Sequence, residues 1–462
     1  MNAKSTWGVR CLLVAAIAVL SMLIAAFAGA AHRSSAAGHA MQPALNGHPR
    51  FVQRVDRLAN PKGAVLFNCQ RTVPALCFGP DQIRVAYNVQ PLLDKGIDGS
   101  GGTIVIVDAY GSPTLLEDLH TWDVTWGIPD PVVQVHTPFG IDPTSTANAF
   151  GWGVETSLDV QWAHAIAPKA KIALVVAKSN NDSDINAALR YAVDNNVGDV
   201  ISMSFGEGET CMAPADRANM HATFEAAAKK NITLFASSGD QGSAQPACDG
   251  SDSFFRSTSI PATDPNVTSV GGTNLFADGT SGAYQSETTW NETALFGPAA
   301  TGGGHSVLFG RPSYQAPVVK DAKSREVPDI AYNGGINGGV LVRAFCPADP
   351  TVCGVGTSVF FRVGGTSAGS PQWAGLIALT NQMAGGRVGD VNKTLYNLGK
   401  GNNASTYFHD ITTGNNGLID VGPGTGTPIA GFDAASGYDM ATGWGSPIAS
   451  ALVPAIAKPG NG

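Results

Sequence analysis

Charge is scarce in this chain: 14% of its 462 residues are Asp, Glu, Lys or Arg, against roughly 25% in an ordinary soluble protein. No Lys/Arg-rich run occurs and the formal net charge is −8. Phosphate backbones demand a concentrated basic surface, so nucleic acid is excluded as the main partner. None of the cysteines forms a CxxC pair, which argues against a structural zinc site. After residue 30 no apolar run is long enough to cross a bilayer, which takes about 20 residues. There is no internal repeat and no low-complexity linker, so residues 81–458 read as one large domain.

Glycine and proline are plentiful, at 56 and 28 residues, and 44% of the chain is hydrophobic. That composition describes a loop-rich fold with a large core. Few charges also mean little self-repulsion gained when carboxylates take up protons, which suits acidic surroundings. Residues 1–30 stand apart. Lys4 and Arg10 precede an apolar run from Cys11 to Ala28 that ends in small residues, the pattern of a cleavable export signal; an uncleaved anchor is the alternative. Residues 31–80 are poorly patterned and read as a short leader or vestigial propeptide. Without Cys11, six cysteines remain, neighbouring in sequence as Cys69 and Cys77, Cys211 and Cys248, Cys346 and Cys353. An even number in an exported chain favours disulfides, although six cysteines allow 15 connectivities.

From residue 103 the pattern sharpens. Apolar strands are expected at 103–108, 171–177, 199–204 and 233–236, alternating with helices near 115–122, 151–166, 184–194 and 213–230. Strands apolar throughout, separated by helices, predict a parallel sheet covered on both faces. Ligands in such sheets bind beyond the carboxyl ends of the strands. A long Gly-rich stretch follows, expected as loops, and then Gly364 to Pro371 opens a helix running to about Met383.

Three places there can carry chemistry. Ser367 meets the first turn of a helix, where free N–H groups and the helix dipole favour an anion; a plain helix cap is the simpler alternative. Glu155 and Asp159 lie four apart and so share one helical face. Paired acids are usually solvated, but Val154, Leu158, Trp162 and Ala163 flank these, which predicts a partly buried pair holding one proton between them. Asp240 follows a strand end between glycines, where Asp serves many turns; a protonated carboxyl at that place can also donate to an oxyanion.

The motifs GGTSAGSP at 364–371, ETSLD at 155–159, SMSFGEGE at 202–209 and SSGDQG at 237–242 together resemble the sedolisin family of serine-carboxyl peptidases. So do GGGHSVLFGRPSYQ at 302–315, REVPDIAYNGG at 325–335, FHDITTGNNG at 408–417 and GYDMATGWGSP at 437–447. Separate motifs in one order make chance agreement remote. The resemblance implies a subtilisin-like three-layer α/β sandwich with Ser367 as nucleophile, Glu155 as general base, Asp159 orienting Glu155, and Asp240 at the oxyanion. It further implies one calcium ion on Asp410, Asp439 and the carbonyls of Ile411, Ala435 and Gly437, with Ser204, Phe205 and Gly206 forming a wall for the substrate backbone. A peptide or protein substrate, acid action, export without lasting membrane association, and a monomer are the expectations that follow. Members of the family usually carry a longer prosegment than the roughly 50 residues between signal and match here. His305 stands where the family more often has an aromatic residue. Asp108 resembles the strand-end acid of subtilisins, yet no His-Gly-Thr-His segment supplies it with a partner. His164, beyond the acids on the same helix, is expected to be packed or at the surface.

Overall fold

The computed structural model describes residues 51–62, 65–143, 146–320, 323–418 and 428–458. The segment 1–30, with Cys11, and residues 31–50 of the expected leader lie outside them.

Eight strands form the central sheet: β1 (Thr103–Ala109), β2 (Val133–His136), β3 (Lys171–Ala177), β4 (Val200–Met203), β5 (Thr233–Ser237), β6 (Thr268–Ala277), β7 (Tyr284–Thr289) and β8 (Ile330–Asn333). Their spatial order is β7-β6-β5-β4-β1-β3-β2, with β8 also on β6. All pairings are parallel except that of β7, which runs antiparallel to β6. Alternate side chains point to opposite faces of a strand. Ile104 and Ile106 therefore enter one hydrophobic layer, and Val105, Val107 and Ala109 the other. The first layer packs α1 (Leu115–Trp126), α2 (Thr146–Ile166) and α5 (Gly369–Ala384), the second α3 (Asp182–Asp194) and α4 (Pro214–Lys229). This is the expected three-layer sandwich.

α2 is buried on every side from Trp152 to Ile166, and it carries the polar Glu155, Asp159, Gln161 and His164 into the core with it. It crosses α5 closely: a methyl on Gly375 would stand 2.7 Å from Ile166 Cβ, a distance only glycine avoids. Trp162 Nε1 donates to Leu341 O at 3.1 Å and Gln161 Nε2 to Arg343 O at 2.8 Å. These bonds tie α2 to the strand Gly339–Cys346 of a second sheet. That sheet has four strands, in the order Phe51–Arg54, Thr357–Gly364, Gly339–Cys346, Cys77–Phe78.

Two stretches depart from the sequence reading. Within the expected leader, Phe67 and Phe78 are fully buried in the same core as α2, so packing continues across residue 80. The Gly-rich stretch expected as loops contains β6, β7, β8 and the 339–364 hairpin. Gly271 and Gly272 disguise β6, because a strand interior normally carries side chains. Here the backbone itself is covered, and added methyls would stand 2.8 Å from Pro328 and 2.8 Å from Trp290. The three cysteine pairs neighbouring in sequence are disulfides: Cys69–Cys77, Cys211–Cys248 and Cys346–Cys353.

Candidate active site

The carboxyl ends of the parallel strands bring the predicted residues together. Asp108 is near the end of β1, Ser204 follows β4, and Asp240 follows β5. Ser367 sits in a single 3-10 turn, Thr366–Ala368, that feeds directly into α5. Glu155 and Asp159 reach the same place from α2.

Glu155, Asp159 and Asp108 have no exposed surface. Burial, then the charges of Asp159, Asp108 and Asp240, holds the Glu155 carboxyl well above the usual carboxylate range. The Ser367 hydroxyl opposes this by favouring the ionised form, although neither Glu155 oxygen completes a well-formed hydrogen bond in this state. Asp159 is likewise pushed well up by burial and then by Asp108, against hydrogen bonding from Ser204 and Glu155. Asp108 is raised by burial to about 7, opposed by the Thr156 hydroxyl. Three acids in one poorly solvated place cannot all ionise cheaply, so they titrate as a unit and retain protons. Sequence alone paired only two of them. Asp108 was visible as an acid closing an apolar strand, but nothing in the chain said that α2 would fold over it.

Ser367 is 5% exposed. Its Oγ donates to Ser204 O at 3.4 Å, and Ser204 Oγ donates to Ser367 O at 3.3 Å, so the segment after β4 fixes the serine from both sides of its peptide. Asp240 Oδ1 accepts from Thr366 N and from Thr366 Oγ1, each at 2.8 Å. Gly365, at φ +139, lets this loop approach: a methyl there would stand 2.7 Å from Asp240 Oδ2.

Of the expected substrate wall, Ser204 is buried, Gly206 is half-buried, and Phe205 is buried among the residues packed under α3 and α4. The Phe205 ring is therefore committed to the core. His164 is buried between Pro129 O, at 3.0 Å, and Asp123, at 3.3 Å. His305 lies against Glu326 at 3.4 Å and edge-on to Phe432, in a cavity of about 230 Å³ that Phe255 and Arg256 also line.

In the C-terminal loops, Gly437 N–H donates to Asp410 Oδ2 at 3.0 Å, and Ala435 N–H donates to Asp439 Oδ2 at 2.9 Å. Both carboxylates thus face one stretch of backbone. Among the described residues the carbonyls of Ile411, Ala435 and Gly437 accept no hydrogen bond, and no cluster of three or more His, Cys, Asp or Glu side chains is available to a metal.

The family model described as the subtilase family matches residues 147–397, more than half of the chain. The chain belongs to the subtilase family. This subtilase is 34% identical to kumamolisin of Bacillus sp. (strain MN-32) over 372 residues, 78% of this chain and 61% of that protein. It is 28% identical to sedolisin of Pseudomonas sp. (strain 101), over 74% of this chain and 56% of that one. The chain thus spans about three fifths of the length of these curated relatives. A solved structure of Pseudomonas sedolisin, a serine-carboxyl proteinase complexed with two molecules of pseudo-iodotyrostatin, superposes with a TM-score of 0.67 at 28% identity. It covers 83% of this chain and 99% of that one. The resemblance expected from the motifs, and the fold it implied, are borne out.

Proposed function

We propose that this subtilase is a serine-carboxyl peptidase that cleaves peptide bonds in acid through an acyl-enzyme on Ser367. The observation that carries the reading is the convergence of Ser367 with a buried acid cluster in which the Ser367 hydroxyl favours the ionised form of Glu155. Among the described residues no histidine enters the set: His164 is committed to Pro129 and Asp123.

In the first step Ser367 Oγ bonds to the substrate carbonyl carbon while its proton passes to Glu155. Asp159, with Asp108 behind it, keeps the cluster short of full ionisation and orients Glu155. The carbonyl electrons move onto oxygen, where Asp240 supplies a proton in a hydrogen bond. Oδ1 of Asp240 accepts from Thr366 N and Oγ1, which fixes the carboxyl beside Ser367. When the C–N bond breaks, Glu155 returns its proton to the departing amine, and water then releases the acid product. The donor and the base coexist only while one acid is charged and another is not, so activity belongs to acidic pH.

Ser204, Phe205 and Gly206 form the wall on which the substrate backbone lies. Asp410 and Asp439, with the three free carbonyls nearby, fit a hard cation that takes six to eight oxygens, and calcium is the ion proposed. Bound there, it would brace the loops through charge neutralisation. Export follows from the basic, apolar and small-residue order of residues 1–30 and from the three disulfides. Among the described residues no helix is long and apolar enough to cross a membrane. The chain is proposed to act as a monomer.

Ser367→Ala beside the parent on a denatured protein substrate at acidic pH tests the reading. The variant should be silent; equal turnover in both would remove Ser367 from the reaction.

A further inference from the structure

The cavity of about 230 Å³ that holds His305 is built from the two segments that leave the catalytic strands. One continues the proposed substrate wall: Glu209 and Thr210, which follow 204–206 closely in the chain, line the cavity. The other continues the Asp240 loop, through Ser243 and then through Phe255 and Arg256, whose strand Phe254–Arg256 pairs antiparallel with Ala244–Pro246. The disulfide Cys211–Cys248 joins the same two segments. A third stretch links the cavity to the residue beside Ser367. Gly239 N–H donates to Thr366 Oγ1 at 3.2 Å, and Gly302 N–H donates to Gly239 O at 2.7 Å. Gly303 and Gly304 line the cavity, so its wall begins within two residues of Gly302, at most about 7 Å of chain.

The lining is aromatic on one side and cationic on another. Phe255 and Phe432 supply rings, and Gly304 lets Phe432 lie against the backbone, where a methyl would stand 3.0 Å from that ring. The Arg256 guanidinium stands 5.1 Å from the centre of the Phe432 ring and donates to Ala430 O, which holds its charge at the cavity although the residue is exposed. An arginine laid on a phenylalanine is often no more than surface packing. Here the arginine faces a cavity with no free countercharge. Among the described lining residues the one acid is Glu209, and its two oxygens are committed to Ser306 Oγ and Val307 N–H, each at 2.6 Å.

We propose that this cavity receives the side chain of the substrate residue that carries the scissile carbonyl, and that Arg256 makes it select a bulky aromatic side chain and reject a basic one. The inference rests on the peptidase reading, because Asp240 and the wall at 204–206 decide where that residue lies. With its carbonyl oxygen at Asp240 and its backbone on the wall, its side chain is flanked by the continuations of both segments. An aromatic ring gains contact there with Phe255 and Phe432 and with the face of a guanidinium. A lysine or arginine meets Arg256 with no carboxylate to answer it, and like charges brought together select strongly against the wrong partner.

The test is kcat/KM at pH 5 for peptides that differ only at the residue giving the scissile carbonyl, with Phe, Tyr, Leu, Lys or Arg there, in the parent and in Arg256→Glu. The parent should favour Phe and Tyr over Lys and Arg on the order of 10²-fold. Arg256→Glu should shrink that ratio by about tenfold or more, through faster cleavage after Lys and Arg. A parent that cleaves after Lys as readily as after Phe, or a ratio that the variant leaves unchanged, overturns the proposal. Phe432→Ala carries the experiment if Arg256→Glu does not fold: it should lower the preference for Phe over Leu, and an unaltered preference counts against the cavity. A parent without turnover on any peptide would sink the peptidase reading instead. Dissociation constants of the same peptides for Ser367→Ala, which need no turnover, would still judge the cavity: tighter binding of the Phe peptide than of the Lys peptide supports it, and equal binding overturns it.

Discussion

Thr366 donates to Asp240 twice, from its amide and from its hydroxyl, both at 2.8 Å, and the next residue is Ser367. The proposed oxyanion donor and the proposed nucleophile are therefore one rigid unit. Asp240→Asn should keep the acceptor that Thr366 needs and supply a permanent donor. It should retain measurable activity and lose less of it as pH rises. Asp240→Ala should lower kcat by about 10²–10³-fold, the usual cost of one oxyanion donor. Steady-state kinetics of both variants across pH separates the cases; equal losses would argue that Asp240 is there only to shape the turn.

Gly365 tests the same unit through the backbone. Its φ of +139 and the 2.7 Å approach of Asp240 Oδ2 to any added methyl leave no room for a side chain. Gly365→Ala should cost about 1–3 kcal/mol of stability and should lower kcat more than it alters KM. Unfolding curves and kinetics on the purified variant check both.

The acid cluster makes a prediction about stability against pH. Glu155, Asp159 and Asp108 all have carboxyls raised in the fold by burial. Their contribution is whole below the unfolded carboxylate values, near 4, and falls as pH climbs through the folded ones, with Asp108 at about 7. The thermal midpoint should be highest in mild acid and decline toward neutrality. Glu155→Gln, which removes a buried ionisable group without changing its shape, should soften that decline. A midpoint that rises steadily from pH 4 to 8 would mean the cluster is ionised in the folded protein.

The parallel sheet, its helices, the pairing of Glu155 with Asp159 and the place of Ser367 at a helix start were legible because each rests on local signals: uninterrupted apolar strands, four-residue spacing on a helix, small residues before a helix. That Ser367 belongs with the two acids came only from the resemblance of the motifs to a known family. The misses have a common physical cause. β6 is hidden by Gly271 and Gly272, whose place in a strand makes sense only once Pro328 and Trp290 cover the backbone. Asp108 joins the acids because α2 lies across the end of β1, a long-range fact with no trace in neighbouring residues. Residues 65–78 looked unpatterned because their burial is against the 339–364 hairpin, nearly three hundred positions away.

The C-terminal loops carry a separable prediction. Asp439 is 8% exposed and bonded by the N–H groups of Ala435, Ala441 and Thr442, whereas Asp410 is exposed. Chelation should lower the thermal midpoint if calcium braces these loops, and Asp410→Ala should abolish the chelator's effect while costing little by itself. An unchanged midpoint on chelation of the parent would remove the ion from the account.

The central claim, that a carboxylate activates Ser367, is tested most directly by kcat/KM for one peptide substrate as a function of pH, in the parent and in Glu155→Gln. The account predicts a parent profile confined to acid and a variant reduced by about 10²–10⁴-fold at every pH, the range expected for a lost general base. A parent profile centred above neutral, or a variant as fast as the parent, would contradict it.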